Sequence, residues 1–225
     1  MQWQSNGVKH YSMKVELLSV FGNDDMVVDV ARASYDKLAE MFTEEENDRL
    51  ISYLARNNHW SPFSHPKVQF RLQIPIYVER QIIKTQAGVE YNSISGRYVD
   101  FSDTYTLVKE WREQSKSSKQ GSAEPLDFYG QEACNIIEYS VKEFCQNAYK
   151  QLINLGVSKE QARTILPLNL NTTMIWTGSL YSLIRLCKQR LKADAQQETR
   201  DVVQLMLDQL KEKGVFEQSL KVYEL

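Results

Sequence analysis

The sequence predicts an α+β chain, a single mixed α/β domain with strands early and helices late. Three observations carry that reading. Residues 67–74, KVQFRLQI, alternate polar and apolar side chains, the period-two pattern of a half-buried strand. Several later segments repeat apolar residues at intervals of three and four, with start and stop residues at their ends. No internal repeat and no clear linker interrupts the 225 residues, a length that suits one large domain.

In chain order, MKVELLSV (13–20) reads as the first strand and DDMVVDVARASY (24–35) as a helix opened by aspartate. TEEENDRLISYLARNN (43–58) reads as a helix in which Thr43 and Glu46 have capping-box spacing and Leu50, Ile51 and Leu54 form the apolar stripe. NHWSPFSHP (58–66) reads as a loop. In the 67–74 strand Val68, Phe70, Leu72 and Ile74 share one face. PIYVERQIIKTQ (75–86) then starts with proline at a first helical turn and keeps helical spacing. YVDFSDTY (98–105) reads as extended, and the Ser/Lys-rich stretch 112–125 as a mobile surface loop. A long amphipathic helix follows over 129–156, ended by Gly156. Ser158 with Gln161 predicts another capping box, on a short helix stopped by Pro167. Segments 174–192 and 196–214 read as two more helices.

Composition narrows the function. The balance of 42% hydrophobic and 25% charged residues is ordinary for a globular protein, and a net charge of -2 offers no global basic field to nucleic acid. Any anion site is therefore local. No long uncharged apolar run predicts a membrane span, and the N-terminal residues lack a signal-peptide layout. Cys134, Cys145 and Cys187 are odd in number and far apart, which argues against a disulfide framework or a zinc site and for a reducing cytoplasm. They fall inside helical patterns and read as buried cysteines, not nucleophiles. Glycine-rich dinucleotide and phosphate loops are absent, as is a nucleophile elbow. His59 and His65 flank WSPFS, but no cysteine or carboxylate cluster joins them, so no metal is expected. That loop reads equally as ligand-positioning or as structural.

The stretch VEYNSISGRY (89–98) poses the sharper question. Ser95 and Gly96 can present a hydroxyl and backbone donors to an anion, and Arg97 follows them. Arg163 in EQARTILPLN and Arg190 in KQRLKAD add two more guanidinium forks, the shape that matches phosphate or a pyrimidine edge. Composition alone also allows a plain polar turn with surface arginines.

The residues resemble the flavin-dependent thymidylate synthase (ThyX) family. The segments that carry the resemblance are VARASYD (30–36), NNHWSPFSH (57–65), IPIYVERQ (74–81), YNSISGRY (91–98), GVSKEQARTILPLNLNTTMIWT (156–177) and the helix holding Arg190. It runs over roughly 14–215, weakest at 112–125. The resemblance implies a mixed α/β subunit in a homotetramer with active sites at subunit interfaces. It implies dUMP as substrate, with FAD, NADPH and 5,10-methylenetetrahydrofolate. No enzyme–uracil bond is implied, which agrees with the lack of a cysteine nucleophile. Gln81, Ser95, Gly96, Arg97, Arg163 and Arg190 match positions that hold dUMP, with Arg190 polarising the uracil. Ser95 is then a ligand, since no His–Asp relay activates it. His59 matches a histidine near flavin and folate, and Arg190 and His59 are the catalytic candidates.

The flavin side departs from the family pattern. Ser34 and Ser61 match hydroxyl positions that contact flavin. The family's Arg-His-Arg is here Lys84, Thr85 and Gln86, with one extra residue before Ser95. Lys84 keeps charge without the fork. The family's glutamate two before the serine is Ser93, with Glu90 nearby, and the glutamate after the loop histidine is Trp60. A family asparagine, arginine and histidine become Ser179, Tyr181 and Asp194, and Arg185 completes the expected flavin set. Trp60 and Tyr181 offer ring stacking in place of polar contacts. The expected function is reductive methylation of dUMP to dTMP in the cytoplasm, that of a host cell if the chain is carried by a phage. The alternatives are a hydroxymethylase, giving 5-hydroxymethyl-dUMP or a dCMP product, and a non-catalytic dUMP-binding homologue.

Overall fold

The computed structural model describes residues 13–100, 103–116 and 121–225. The chain runs β1 (Lys14–Phe21), α1 (Asp24–Arg32), α2 (Glu44–Arg56), β2 (Lys67–Pro75), α3 (Ile76–Ile82), β3 (Val89–Ser93), β4 (Arg112–Gln114), β5 (Ser122–Pro125), α4 (Phe128–Asn154), α5 (Lys159–Ala162), β6 (Asn171–Ser179), α6 (Leu180–Arg190), α7 (Gln197–Lys211) and α8 (Glu217–Val222). One sheet has the order β1-β2-β6-β3, and β4 pairs with β5 in a second. The mixed α/β class expected from the sequence holds.

The single expected domain is organised as two compact units of interleaved segments. Among the described residues, the first comprises 13–14, Gln73–Glu79 and those within Ser93–Thr173; the second comprises Val15–Leu72, Arg80–Asn92 and Met174–Leu225.

In the second unit, the alternation of β2 is borne out: Val68, Phe70 and Leu72 are buried and Arg71 is exposed. Phe70 packs against Trp176, 6.2 Å between ring centres. Helices α6 and α7 pack together, with Leu183, Ile184, Leu186, Val202, Val203 and Met206 all buried. Each such side chain contributes roughly 1.5–3 kcal/mol by leaving water. Helix α1 starts at Asp24 as expected, and Asn23 caps it, its side chain accepting from the Met26 N–H. Asp24 instead ties α1 to α8, accepting from the backbone N–H of Gln218 at 2.8 Å and of Ser219 at 3.2 Å. Helix α2 starts with the predicted capping box, Thr43 and Glu46 bonding each other's N–H.

In the first unit, α4 extends over 27 residues and Gly156, at φ +84, follows its end. The Thr106 hydroxyl donates to Asn171 Oδ1 at 2.7 Å, and Glu138 accepts from Asn169 Nδ2 at 3.0 Å.

Five expectations need correction. Residues 174–192 are not one helix: β6 occupies Asn171–Ser179 and only Leu180–Arg190 is helical. Strands are therefore not confined to the early chain. The predicted helix over 75–86 stops at Ile82, where the chain turns and the Thr85 N–H bonds the Ile82 carbonyl. The ends of 112–125 pair as strands β4 and β5, with the Ser115 N–H donating to Gly121 O and the Leu126 N–H to Trp111 O. Of that stretch, 117–120 lie outside the described residues. Of the stretch 98–105, residues 101–102 lie outside the described residues, and the others form no strand apart from a single bridge from Tyr105 to Leu170. Ser158 occupies the cap position of α5, but its side chain makes no cap bond. The Gln161 N–H that a capping box needs goes to the Ser158 carbonyl, because a one-turn helix closes tightly.

Candidate active site

The first unit holds four of the predicted nucleotide residues. Ser93–Tyr98 ends β3 and turns: the N–H groups of Tyr98 and Val99 both donate to the Ser95 carbonyl at 3.0 Å. Ser95 Oγ accepts from the Arg97 N–H at 3.3 Å. No histidine or carboxylate among the described residues bonds that hydroxyl, so nothing activates it as a nucleophile. Gly96 is buried while Arg97 is exposed. Arg97 Nε pairs with Glu160 Oε2 at 3.0 Å, and Lys159 Nζ donates to Tyr98 O at 3.4 Å. Arg163 lies one turn beyond Glu160 and is exposed. The structure thus joins YNSISGRY to EQARTILPLN through the Arg97–Glu160 pair. The Arg97–Glu160 pair is half-exposed on both sides and contributes little to stability, so Arg97 is available to a stronger anion.

Glu79 is not among the residues that sequence reasoning singles out. The Ser93 hydroxyl donates to its carboxylate, so an acid from α3 stands at Ser93. The only signal was helical: Glu79 precedes Gln81 on the same short segment.

Gln81 and Arg190 belong to the second unit and are joined there. Arg190 Nη2 donates to the Gln81 carbonyl at 2.7 Å, while the Gln81 side chain donates to Gln196. Arg190 Nε is buried without a hydrogen-bond partner among the described residues. A buried guanidinium N–H left unpaired is costly, and a ligand oxygen would satisfy it.

The residues expected on the flavin side divide by exposure. Ser34, Ser61, Lys84 and Gln86 are exposed, and Tyr181 and Arg185 are half-buried. Thr85 and Ser179 are 3% and 1% exposed. Ser179 caps α6, accepting from the Ser182 N–H at 3.1 Å. The Ser182 hydroxyl reaches Ala87 O at 2.7 Å, and Ser179 N–H reaches Gly88 O at 3.0 Å. Thr85 Oγ1 donates to Gln189 Oε1 at 2.9 Å. Residues 85–88 are therefore tied along α6, from its last turn to its first.

His59 is exposed and meets Tyr53 edge-on at 5.8 Å. Trp60 stacks on Tyr181 at 5.9 Å, and Tyr181 meets Tyr223 at 6.3 Å. Burial, and then the neighbouring Tyr181, push the Tyr223 phenol up to about 12. Burial likewise pushes the Cys187 thiol up to about 12, which leaves it protonated and unsuited to nucleophilic attack. Among the described residues no cluster of three or more His, Cys, Asp or Glu side chains could hold a metal. The second unit also has a cavity of about 910 Å³, lined by Asp24, Asp25, Asp29, Glu44, Asp48 and Glu217 among others. None of the predicted site residues lines it, and its carboxylates would repel a nucleotide phosphate.

The chain is similar to known proteins in sequence and in fold. The family model described as "Thymidylate synthase complementing protein" matches residues 16–214. A flavin-dependent thymidylate synthase of Kosmotoga olearia is 35% identical over 82% of this chain and 79% of its own length. Another, from Thermus thermophilus, is 34% identical over 88% of this chain and 72% of its own. The fold matches a UMP/dUMP methylase, PolB of Streptomyces cacaoi, whose structure holds 5-Br dUMP. That match has a TM-score of 0.83 at 20% identity and covers 95% of each chain.

Proposed function

The chain belongs to the flavin-dependent thymidylate synthase family, and we propose that it methylates dUMP reductively to dTMP. The one-carbon unit comes from 5,10-methylenetetrahydrofolate and the reducing equivalents from NADPH through FAD. The observation that carries the reading is the convergence of Ser95, Gly96 and Arg97 with the helix that bears Arg163. Two exposed guanidinium groups and a turn with a buried glycine suit a phosphate monoester. Arg190, with one N–H fixed to Gln81 O and a buried Nε unpaired, suits the polar edge of uracil. Its charge stabilises negative charge on the ring during alkylation. Gln81 adds an amide once it leaves Gln196, and His59 lies on the cofactor side.

The residues present fit a flavin dinucleotide. Lys84 and Arg185 are cations with no ion pair among the described residues, suited to a diphosphate. Ser34 and Ser61 offer exposed hydroxyls, and Tyr181 and Trp60 offer ring faces. Gln86 is exposed beside Lys84, whereas Thr85 and Ser179 shape the site from behind, their hydroxyls already engaged. When bound, the reduced flavin supplies the hydride. The chain's own residues hold the pyrimidine and polarise it.

We also infer a homotetramer with interface sites, acting in the cytoplasm where these metabolites reside. Ile136, Ile137 and Phe144 of α4 are 62–74% exposed, an apolar face that suits a second copy.

The test is a visible absorption spectrum followed by product analysis. We expect a flavin spectrum after loading with FAD, and dTMP by mass spectrometry from dUMP, folate and NADPH. A 5-hydroxymethyl product would replace methylation with hydroxymethylation. Tight dUMP binding without turnover would leave only a binding protein, and a colourless protein that takes up no FAD would overturn the reading.

A further inference from the structure

Thr85 is a buried threonine in an irregular segment, and its hydroxyl is satisfied from a distant part of the chain. The residue is 3% exposed, its N–H closes a turn onto the Ile82 carbonyl at 3.2 Å, and its Oγ1 donates to Gln189 Oε1 at 2.9 Å. A buried hydroxyl left unpaired is costly, which favours keeping this bond. Gln189 adjoins Arg190 in the last turn of α6. Arg190 Nη2 donates to the Gln81 carbonyl at 2.7 Å, in the last turn of α3. Two neighbouring residues of α6 are therefore tied to the same segment, Gln81 to Thr85.

A single hydrogen bond leaves a guanidinium free to swing about the bonded N–H. The second tie removes that freedom by fixing the roll of the last helical turn from which the side chain departs. The buried, unpaired Nε makes orientation matter: a small rotation changes which ligand oxygen it can reach. At the other end, Gly88 and Ala87 are fastened to Ser182, so the segment cannot relax by sliding.

We propose that Thr85 and Gln189 are positioning residues for Arg190, acting through the Oγ1–Oε1 hydrogen bond. The inference rests on the reading above that Arg190 polarises the pyrimidine. It assigns Thr85 to the nucleotide side of the reaction and not to flavin contact.

The two roles separate kinetically. Thr85→Val keeps shape and removes the donor. As a positioning residue it lowers kcat with dUMP about 3- to 10-fold, the range of a single lost hydrogen bond, and leaves FAD affinity unchanged. A flavin contact would do the opposite, weakening FAD while kcat at saturating FAD is retained. Thr85→Ser restores kcat. Gln189→Leu acts on an exposed side chain, so it tests the same bond even where Thr85→Val fails to fold. The double variant is no worse than either single one.

A second measurement does not depend on turnover. The Arg190 Nε–Hε NMR resonance, assigned by its loss in Arg190→Lys, shifts in Thr85→Val and Gln189→Leu and returns in Thr85→Ser. A wild-type protein that makes no dTMP would sink the functional reading while this resonance still reports the positioning. An unmoved resonance in both variants, or an FAD affinity loss with intact kcat, overturns the proposal.

Discussion

Arg97 decides how tightly the proposed site holds a phosphate. Its intramolecular partner, Glu160, is a weak competitor because both side chains are more than half exposed. A phosphate dianion that accepts from the same guanidinium forms charge-assisted bonds of about 1.5–3 kcal/mol. Arg97→Gln should therefore weaken dUMP binding by about 10- to 100-fold in calorimetry and leave deoxyuridine, which lacks the phosphate, nearly unaffected. Equal losses for both ligands would move Arg97 off the phosphate. Glu160→Gln should tighten dUMP slightly by removing the competitor. At this scale the sequence was informative where chemistry lies in contiguous motifs. SGR and the arginine of EQART stand out as residue types that grip anions, and the Arg97–Glu160 pair joins the two motifs. Thr85 was not legible in the same way. Its burial and its bond depend on Gln189, 104 residues along the chain, and no local pattern announces such a partner. Glu79 at Ser93 was missed for the same reason.

Elements were legible where periodicity and end signals agree, and β6 shows what happens when they do not. NTTMIWTGS buries Asn171, Thr172, Met174, Trp176, Gly178 and Ser179, so polar residues occupy the inner face and mask the alternation. The apolar run continues directly into α6 with no loop, and the pair reads as one helix. The β-branched Thr172, Thr173, Ile175 and Thr177 were the available strand signal. Helix α2, by contrast, was announced by its capping box. The Thr43 backbone N–H, and then its hydroxyl, hold the Glu46 carboxyl below its ordinary 4.5. A carboxyl depressed by folding stabilises the fold above its unfolded value and loses that contribution as pH falls through the depressed one. Wild type should thus exceed Glu46→Gln in stability above pH 4.5, and the two should converge below it in denaturant melts. A gap independent of pH would mean the charge is irrelevant to the cap. Gly88 offers a second check. It sits at φ +72, and a Cβ there would lie 2.6 Å from Ser182 Oγ, the group that ties the 85–88 segment to α6. Gly88→Ala should cost about 1–3 kcal/mol and lower the melting temperature by several degrees. An unchanged melting temperature would show that this tie is dispensable.

For the whole molecule, the chain alternates between its two units at 14/15, 72/73, 79/80, 92/93 and 173/174, so neither unit is a contiguous piece that could be cut away. Local sequence patterns could not show this, because each crossing falls inside or beside a regular element: within β1, β2, α3, β3 and β6. The predicted nucleotide residues divide in the same way, Ser95 to Arg97 and Arg163 in one unit, Gln81 and Arg190 in the other. Assembly is the remaining level, and α4 is where it can be tested. A helix buried along one stripe in its own subunit should expose a polar face, yet Ile136, Ile137 and Phe144 are all more than 60% exposed. Water contact with that face is unfavourable by roughly 1.5–3 kcal/mol per side chain, a cost that a second copy of the same helix would remove. Replacing Ile136 and Phe144 by aspartate should therefore leave helical circular dichroism intact, because both are already solvated in the single chain. Sedimentation equilibrium should then fall from the mass of four chains to that of a smaller species. Turnover of dUMP should fall with it if the sites are shared between subunits. A variant that stays tetrameric would place the interface elsewhere. A dissociated variant with full turnover would show each subunit complete by itself, and would leave the exposed face of α4 without a role in the chemistry.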